Sequence, residues 1–320
     1  MQKIAAIDIG SNTVRLLIME ISANGDFREI DSARVICRLG EGLHNEKRLL
    51  ESRMALTLQT LQNFRDRCRE HGDIAIHAVA TSAVRESSNG EEFVRRAREQ
   101  AGLTVAVIPW EEEARLTLAG VFWKLPHQGR NILTFDIGGG STEFILSQGK
   151  NVTATAGTSL GVVRLTERFI CQHPTDADEY RALTTHLQAE LATVKSQLGN
   201  PQPEAVIGTA GTVTTLAALD RNIFPYDPAA IHGTELPRKS IEILLEDLKS
   251  RSLAERLQLQ PLERGREDLI IAGAALVLAT LNTFQCDLLT VCEYSLREGI
   301  LLKAFAAGNP AEPTTDSPKR

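Results

Sequence analysis

Three apolar segments open the chain, at 3–9, 13–21 and 28–38, and their alternation of hydrophobic and polar positions predicts strands. The turn pair Asn24-Gly25 separates the second from the third, so the three read as an antiparallel meander. The spacing then becomes helical, with Met54, Leu58, Leu61 and Phe64 on one face. A strand at 74–80, a helix near 89–101, a strand at 103–108 and a helix over 110–123 follow. From residue 131 the order begins again. Strands at 131–136, 142–147 and 151–157 precede helices near 159–171 and 176–198, a strand at 204–208 and a helix from about 211. Helices near 238–250 and 264–283, a strand at 287–292 and a helix at 296–306 close the pattern.

The repetition reaches the turns themselves. IDIGSNTVRLLI (7–18) and FDIGGGSTEFIL (135–146) align at an offset of 128 residues, which puts Asp8, Ile9 and Gly10 on Asp136, Ile137 and Gly138. Each unit is strand, tight turn, strand. Glycine frees the turn backbone and lets another group come close. Successive exposed N–H groups there form a concavity suited to phosphate oxygens. One such turn means little, but two in one register predict a duplicated domain with phosphate held between the copies. The segment LPHQGRN (125–131) has linker composition, which places the expected boundary between domains 1–124 and 125–307. The helix at 296–306 could return to the first domain. The polar, Pro- and Gly-containing tail 308–320 is expected to be disordered.

Composition narrows the function classes. A hydrophobic share of 42% and a charged share of 24% are those of a globular protein, and 320 residues suffice for two cores. MQKIAAIDIG runs straight into a strand, so no secretory leader is read. The longest apolar run, LIIAGAALVLATL (269–281), is shorter than the roughly 20 residues a membrane span needs. Five scattered cysteines show no zinc or redox spacing and read as reduced thiols. A cytoplasmic protein without membrane partners is expected. The net charge of −6 argues against nucleic acid as a partner. Residues 1–124 carry 17 Lys+Arg against 18 Asp+Glu, so the excess acid lies in the second half. A polyanionic substrate would have to be held by local patches and a metal.

Several positions are candidates for chemistry. Ser11, Asn12 and Thr13 offer small donors beside the Gly10 backbone, and Asp8 reads as a turn carboxylate or as a metal or water ligand. Gly138, Gly139 and Gly140, followed by Ser141 and Thr142, leave no side chain between backbone and ligand. Asp136 and Glu143 flank that turn and can converge, and two hard oxygen ligands completed by phosphate and water suit Mg²⁺. A third Gly/Thr loop, Gly208-Thr209-Ala210-Gly211-Thr212, lies where a strand meets a helix N-terminus. Glu111, Glu112 and Glu113 open a helix, and Glu113 stands one turn before Leu116 and Thr117, which can turn it inward as a general base. Arg85 in ATSAVRESSNG (80–90) could hold phosphate oxygens bidentately. Arg34, Arg38, Lys47, Arg48 and Arg53 could guide a longer anion, or form a solvated face.

Together these motifs resemble the exopolyphosphatase/guanosine-pentaphosphatase family of the actin, sugar kinase and Hsp70-like superfamily. The pieces that carry the resemblance are DIGSNTVRLLI (8–18), ATSAVRESSNG (80–90), EEEARL (111–116), DIGGGSTEF (136–144), SLGVVRLTERF (159–169), GTAGTVTTLAAL (208–219), YDPAAIHG (226–233) and YSLREGILL (294–302). The resemblance implies an α/β fold of two duplicated actin-like (ribonuclease H-like) domains, each with a mixed sheet, around an interdomain cleft. It implies Glu113 as the base that activates water, and Asp136 and Glu143 as ligands of the catalytic Mg²⁺ or another divalent cation. The loops at 10–13 and 138–142 would cradle terminal phosphates, with Asn12 and Arg85 as side-chain contacts, and Gly208–Thr212 would meet phosphate or nucleotide. The implied substrate is polyphosphate or guanosine pentaphosphate, and the expected assembly is a homodimer. Longer family members carry further helical domains beyond this point. An ATP-dependent kinase and a nucleotide-driven actin- or Hsp70-like binding protein remain the alternative readings of the same hairpins.

Overall fold

Two mixed sheets with the same internal order carry the chain. The computed structural model describes residues 2–22, 26–125 and 130–308. The expected Asn24-Gly25 turn, residues 126–129 of the linker and the tail from 309 onward lie outside the described residues. The first unit runs β1 (Gln2–Ile9), β2 (Thr13–Ile21), β3 (Phe27–Ile36), a short α1 (Leu43–Glu46), α2 (Glu51–Glu70), β4 (Ala75–Ala80), α3 (Ser82–Glu86), α4 (Gly90–Arg96), β5 (Val105–Val107) and α5 (Trp110–Lys124). Helix α4 continues as a π-helical turn over Ala97–Ala101. The second runs β6 (Asn131–Ile137), β7 (Thr142–Gln148), β8 (Asn151–Thr158), α6 (Val162–Phe169), α7 (Ala177–Gln197), β9 (Ala205–Thr209), α8 (Ala210–Arg221), α9 (Pro228–Ile231) and β10 (Glu235–Pro237). It closes with α10 (Arg238–Ser250), α11 (Leu253–Arg256), α12 (Ile270–Phe284), β11 (Leu288–Val291) and α13 (Leu296–Gly308).

The first sheet is ordered β3-β2-β1-β4-β5 and the second β10-β11-β9-β6-β7-β8. In both, the opening three strands pair antiparallel and the next joins the first of them in parallel through a helical crossover. The duplicated α/β architecture expected from the sequence is therefore present. Its one added strand among the described residues is β10, three residues long and antiparallel to β11. Nothing in ELP signalled it, because Pro237 cannot donate to a ladder and argues against a strand. Helix α12 starts at Ile270, later than the expected 264, because a turn stabilised by the Arg266 N–H bond to the Glu263 carbonyl (3.1 Å) precedes it.

Each sheet has its own core. Helix α2 lays Met54, Leu58, Leu61 and Phe64 against one face of the first sheet, where they meet Ile7, Leu16 and Ile18. Leu183, Leu187 and Leu191 of α7 pack in the core of the second sheet with Leu133 and Phe135. Helix α5 is apolar around most of its circumference, the mark of a helix buried on several sides. Ala114, Leu118, Val121 and Phe122 pack on Ile132, Ile145 and Ile207 of the second sheet, whereas Leu116 joins Ile4, Leu17 and Val79 of the first. Helix α13 lies beside it on the first sheet through Leu296, Ile300 and Leu301. The two helices touch where neither has a side chain. A Cβ on Gly120 would fall 1.9 Å from the Ser295 carbonyl oxygen, and one on Gly299 would fall 1.9 Å from that of Leu116.

Because both obstacles are backbone atoms, a methyl group at either glycine must push α13 away from α5. Gly299→Ala is expected to destabilise the protein by about 1–3 kcal/mol, the range for overpacking. Urea denaturation checks this, and an unchanged midpoint would mean that the two helices separate without cost.

Candidate active site

The two glycine turns meet face to face. In the first, the Gly10 N–H donates to the Thr13 carbonyl at 3.1 Å; in the second, Gly138 donates to Ser141 at 2.9 Å, the same bond one repeat later. A Cβ on Gly139 would lie 2.9 Å from the Asn12 backbone nitrogen. One on Gly140 would lie 2.5 Å from Ser11 Oγ and 2.6 Å from Ser82 Oγ. Glycine is required here by the approach of the opposite turn, since any side chain would hold the two apart. Behind the second turn, the Val162 and Val163 N–H groups donate to the Gly138 and Gly139 carbonyls (3.0 and 2.9 Å), which ties the loop to the start of α6. Ser11, Asn12 and Thr13 are all buried, and one amide atom of Asn12 (Oδ1) has no hydrogen-bond partner. An amide flip exchanges that oxygen for the NH₂ group, so the orphaned end can present either a donor or an acceptor.

The acidic side chains below the turns repeat with one difference. Strand register sets Asp8 opposite Arg15 in the first hairpin and Asp136 opposite Glu143 in the second, with 15 and 143 again one repeat apart. Directly opposed residues share a face with their Cβ atoms about 5 Å apart. The first pair is therefore acid against base, and the second is acid against acid. Burial drives both Asp136 and Glu143 upward: Asp136 rises to about 6, opposed by Arg15 and reinforced by Asp8. Glu143 is held well above its ordinary range by burial and then by the neighbouring charges of Glu113 and Asp136. Its hydrogen-bond donor is Ser141 Oγ, at 2.7 Å from Oε1. Asp8 is also raised by burial, with Arg15 pulling it back.

Glu113 enters from α5. Pro109 precedes the helix and its carbonyl accepts from the Glu113 N–H at 3.1 Å, so the residue sits in the first turn. Of the three consecutive glutamates only Glu113 is buried, while Glu112 pairs with Arg115 and Lys303 on the outside. Arg85 Nη1 donates to Glu113 Oε2 at 2.8 Å and to the Ile108 carbonyl at 2.9 Å. Burial nevertheless dominates and pushes Glu113 up to about 7, despite the bond from Arg85.

Comparison with known proteins identifies the family. The Ppx/GppA phosphatase family model matches residues 17–306. The chain belongs to the Ppx/GppA phosphatase family. Exopolyphosphatase 2 of Mycobacterium tuberculosis is 32% identical over 316 residues, covering 94% of this chain and 98% of that protein. The crystal structure of the Aquifex aeolicus Ppx/GppA family member is 34% identical with a TM-score of 0.82, covering 97% of this chain and 99% of the other. An exopolyphosphatase structure from Cytophaga hutchinsonii superimposes with a TM-score of 0.89 at 28% identity, covering 96% and 98%.

In this Ppx/GppA protein the cleft brings together Asp8, the turns at 10–13 and 138–141, Glu113, Asp136, Glu143 and Gly211. Other candidates point elsewhere. Thr142 Oγ1 donates to the Leu160 carbonyl at 2.7 Å, and Thr209 Oγ1 to that of Tyr294 at 3.0 Å. Gly208 makes room for Phe135 and Val213, and Thr212 packs on Gly273. Arg85 faces Glu113 instead of the turns. The arginines at 34–53 form no anion track: Arg34 and Arg38 bridge to Glu263 and Asp268, Arg53 to Glu41, and Arg48 approaches Glu92 at 3.8 Å. Sequence reasoning missed Arg15 as the counter-charge of Asp8, and also Ser82 and Arg266. Arg266 is buried against Gly211 and bonded to Glu263. Strand register would have exposed Arg15; Arg266 had no signal.

The donor set fits a hard divalent cation. Asp136 and Glu143 are buried side by side; Arg15 opposes the rise of the first, and the Ser141 hydrogen bond and Arg85, itself paired with Glu113, oppose that of the second. No group of three or more His, Cys, Asp or Glu forms a metal cage among the described residues. An ion would take these two carboxylates and complete its shell from phosphate and water, as Mg²⁺ commonly does.

Without metal, these acids keep protons in the folded chain that the unfolded chain has already released. Asp136 moves from 3.8 to about 6 and Glu113 from 4.5 to about 7. Stability of the metal-free protein is therefore expected to fall as pH rises from about 4 to about 7, by on the order of 3 kcal/mol from Asp136 alone. Urea unfolding with a chelator across that range checks it. Asp136→Asn should flatten the slope, and Mg²⁺ should raise the midpoint more at pH 7.5 than at pH 5.

Proposed function

We propose that this protein releases the terminal phosphate of inorganic polyphosphate by hydrolysis, with Glu113 as general base and Mg²⁺ held by Asp136 and Glu143. The observation that carries the reading is Glu113 itself: a buried carboxylate, anchored by Arg85 through one oxygen, at a cleft between two facing amide turns. The name of the Mycobacterium tuberculosis relative supports polyphosphate as the substrate.

Phosphoryl transfer asks for positioning and charge stabilisation more than for covalent chemistry. The N–H groups of the turns at 10–13 and 138–141 would bind the oxygens of the terminal phosphoryl group. Arg85 occupies Oε2 of Glu113, which leaves Oε1 to accept the proton of an attacking water. The water oxygen bonds to phosphorus while the bridging P–O bond breaks, and the shortened chain leaves with that bond's electrons. Mg²⁺, when bound, supplies positive charge against the phosphoryl oxygens. The dry surroundings that raise Glu113 toward neutrality also make it a stronger base.

Glu113→Gln is expected to lower kcat for phosphate release by roughly 10²–10⁴ while leaving substrate binding nearly intact. The assay should compare short polyphosphate, long polyphosphate and guanosine pentaphosphate with Mg²⁺; full turnover by the variant would remove Glu113 from the mechanism. The base must be ionised to act, so kcat should decline below about pH 7, the value to which Glu113 is raised. Arg85→Gln removes a bond that lowers that value, and the acid limb of the profile should then move to higher pH.

A further inference from the structure

Another cavity, of about 670 Å³, is lined in part by Arg85 and shares no lining residue with the cleft. Its volume is within the range of small-molecule sites. Val84, Val94 and Val107 supply apolar wall, and Val107 is 41% exposed. Arg85, Arg95 and Arg98 are among its lining residues, with Glu91 the one acid among them. Arg95 is paired with Glu99, whereas Arg98 has no ionic partner among the described residues. Arg85 uses Nη1 for both Glu113 and the Ile108 carbonyl, and its Nε and Nη2 have no hydrogen-bond partner among the described residues. The guanidinium that orients Glu113 thus also lines a cavity with apolar walls, where Arg98 is a further arginine, without an ionic partner among the described residues.

We propose that this cavity binds a short aliphatic carboxylate, which draws Arg85 away from Glu113 and slows hydrolysis. The carboxylate would accept from Arg85 Nε and Nη2 in the fork geometry that guanidinium favours, with Arg98 as a second cation. Its alkyl chain would cover the valines. Because the substrate occupies the other side of Glu113, the effector reduces turnover without competing for the cleft. The inhibition rests on the reading of Glu113 as the base; the binding does not.

Hexanoate serves as the probe on the full-length protein, with hexanol and acetate at matched ionic strength as controls. Ligand-observed NMR is expected to show saturable hexanoate binding to the wild type and to Glu113→Gln alike, with much weaker binding to Arg98→Gln. Saturating hexanoate is expected to lower kcat at least about fivefold, the lower end of allosteric coupling, with KM unchanged. Hexanol and acetate should do neither, and Arg98→Gln should keep its basal activity while losing sensitivity. Absence of saturable binding, equal binding by Arg98→Gln, a rise in KM, or binding without effect on kcat would each overturn the proposal. If Glu113→Gln binds hexanoate yet hydrolyses at the wild-type rate, the base assignment fails while the cavity remains a binding site.

Discussion

The position of helix α5 between the two sheets is the constraint from which the rest of the site follows. Its Ala114, Leu118, Val121 and Phe122 belong to the packing of one sheet, and its Leu116 to the packing of the other. Glu113 stands at the start of this wedge, so both halves of the molecule determine where its carboxylate lies. The glycine contact between α5 and α13 makes that position stiff, because the helices meet through backbone with nothing to yield. Helix α13 comes from the end of the described chain, so residues nearly two hundred positions beyond Glu113 hold its helix in place.

Duplication built the cleft, and a departure from duplication built its chemistry. Both hairpins keep the same acid and the same turn bond, but position 15 is arginine where its counterpart 143 is glutamate. One hairpin sets an arginine across from its own aspartate. The other gathers two buried carboxylates whose charges need something from outside the chain. Under the proposed function, the amide turns on both walls would meet the phosphoryl group, and the two carboxylates on one wall would hold the cation.

The repeated pattern of strands and helices could be read from the chain because each sheet is formed mostly by neighbours in sequence, whose side-chain periodicity survives without the partner. Short elements escaped. Strand β10 depends on a ladder to β11, and α3 is a five-residue turn whose composition differs little from loop. Of the candidate residues, those in the glycine turns and the acids beside them share one cleft. Thr142, Gly208, Thr209 and Thr212 do not, because hydroxyl and glycine residues serve backbone packing as readily as ligands. Arg85 was recognisable as important but not as the partner of a carboxylate 28 positions away.

By itself the sequence determined the duplicated α/β units, the two phosphate-type turns and the acids at their edges, since all of these arise from periodicity and from spacing within a dozen residues. Only the tertiary structure decided that the turns face each other and that Arg85 both bonds to Glu113 and lines a separate cavity. Those relations join segments far apart in the chain. They are set by how two sheets close on α5 and α13, a matter of volume and register that no local pattern encodes.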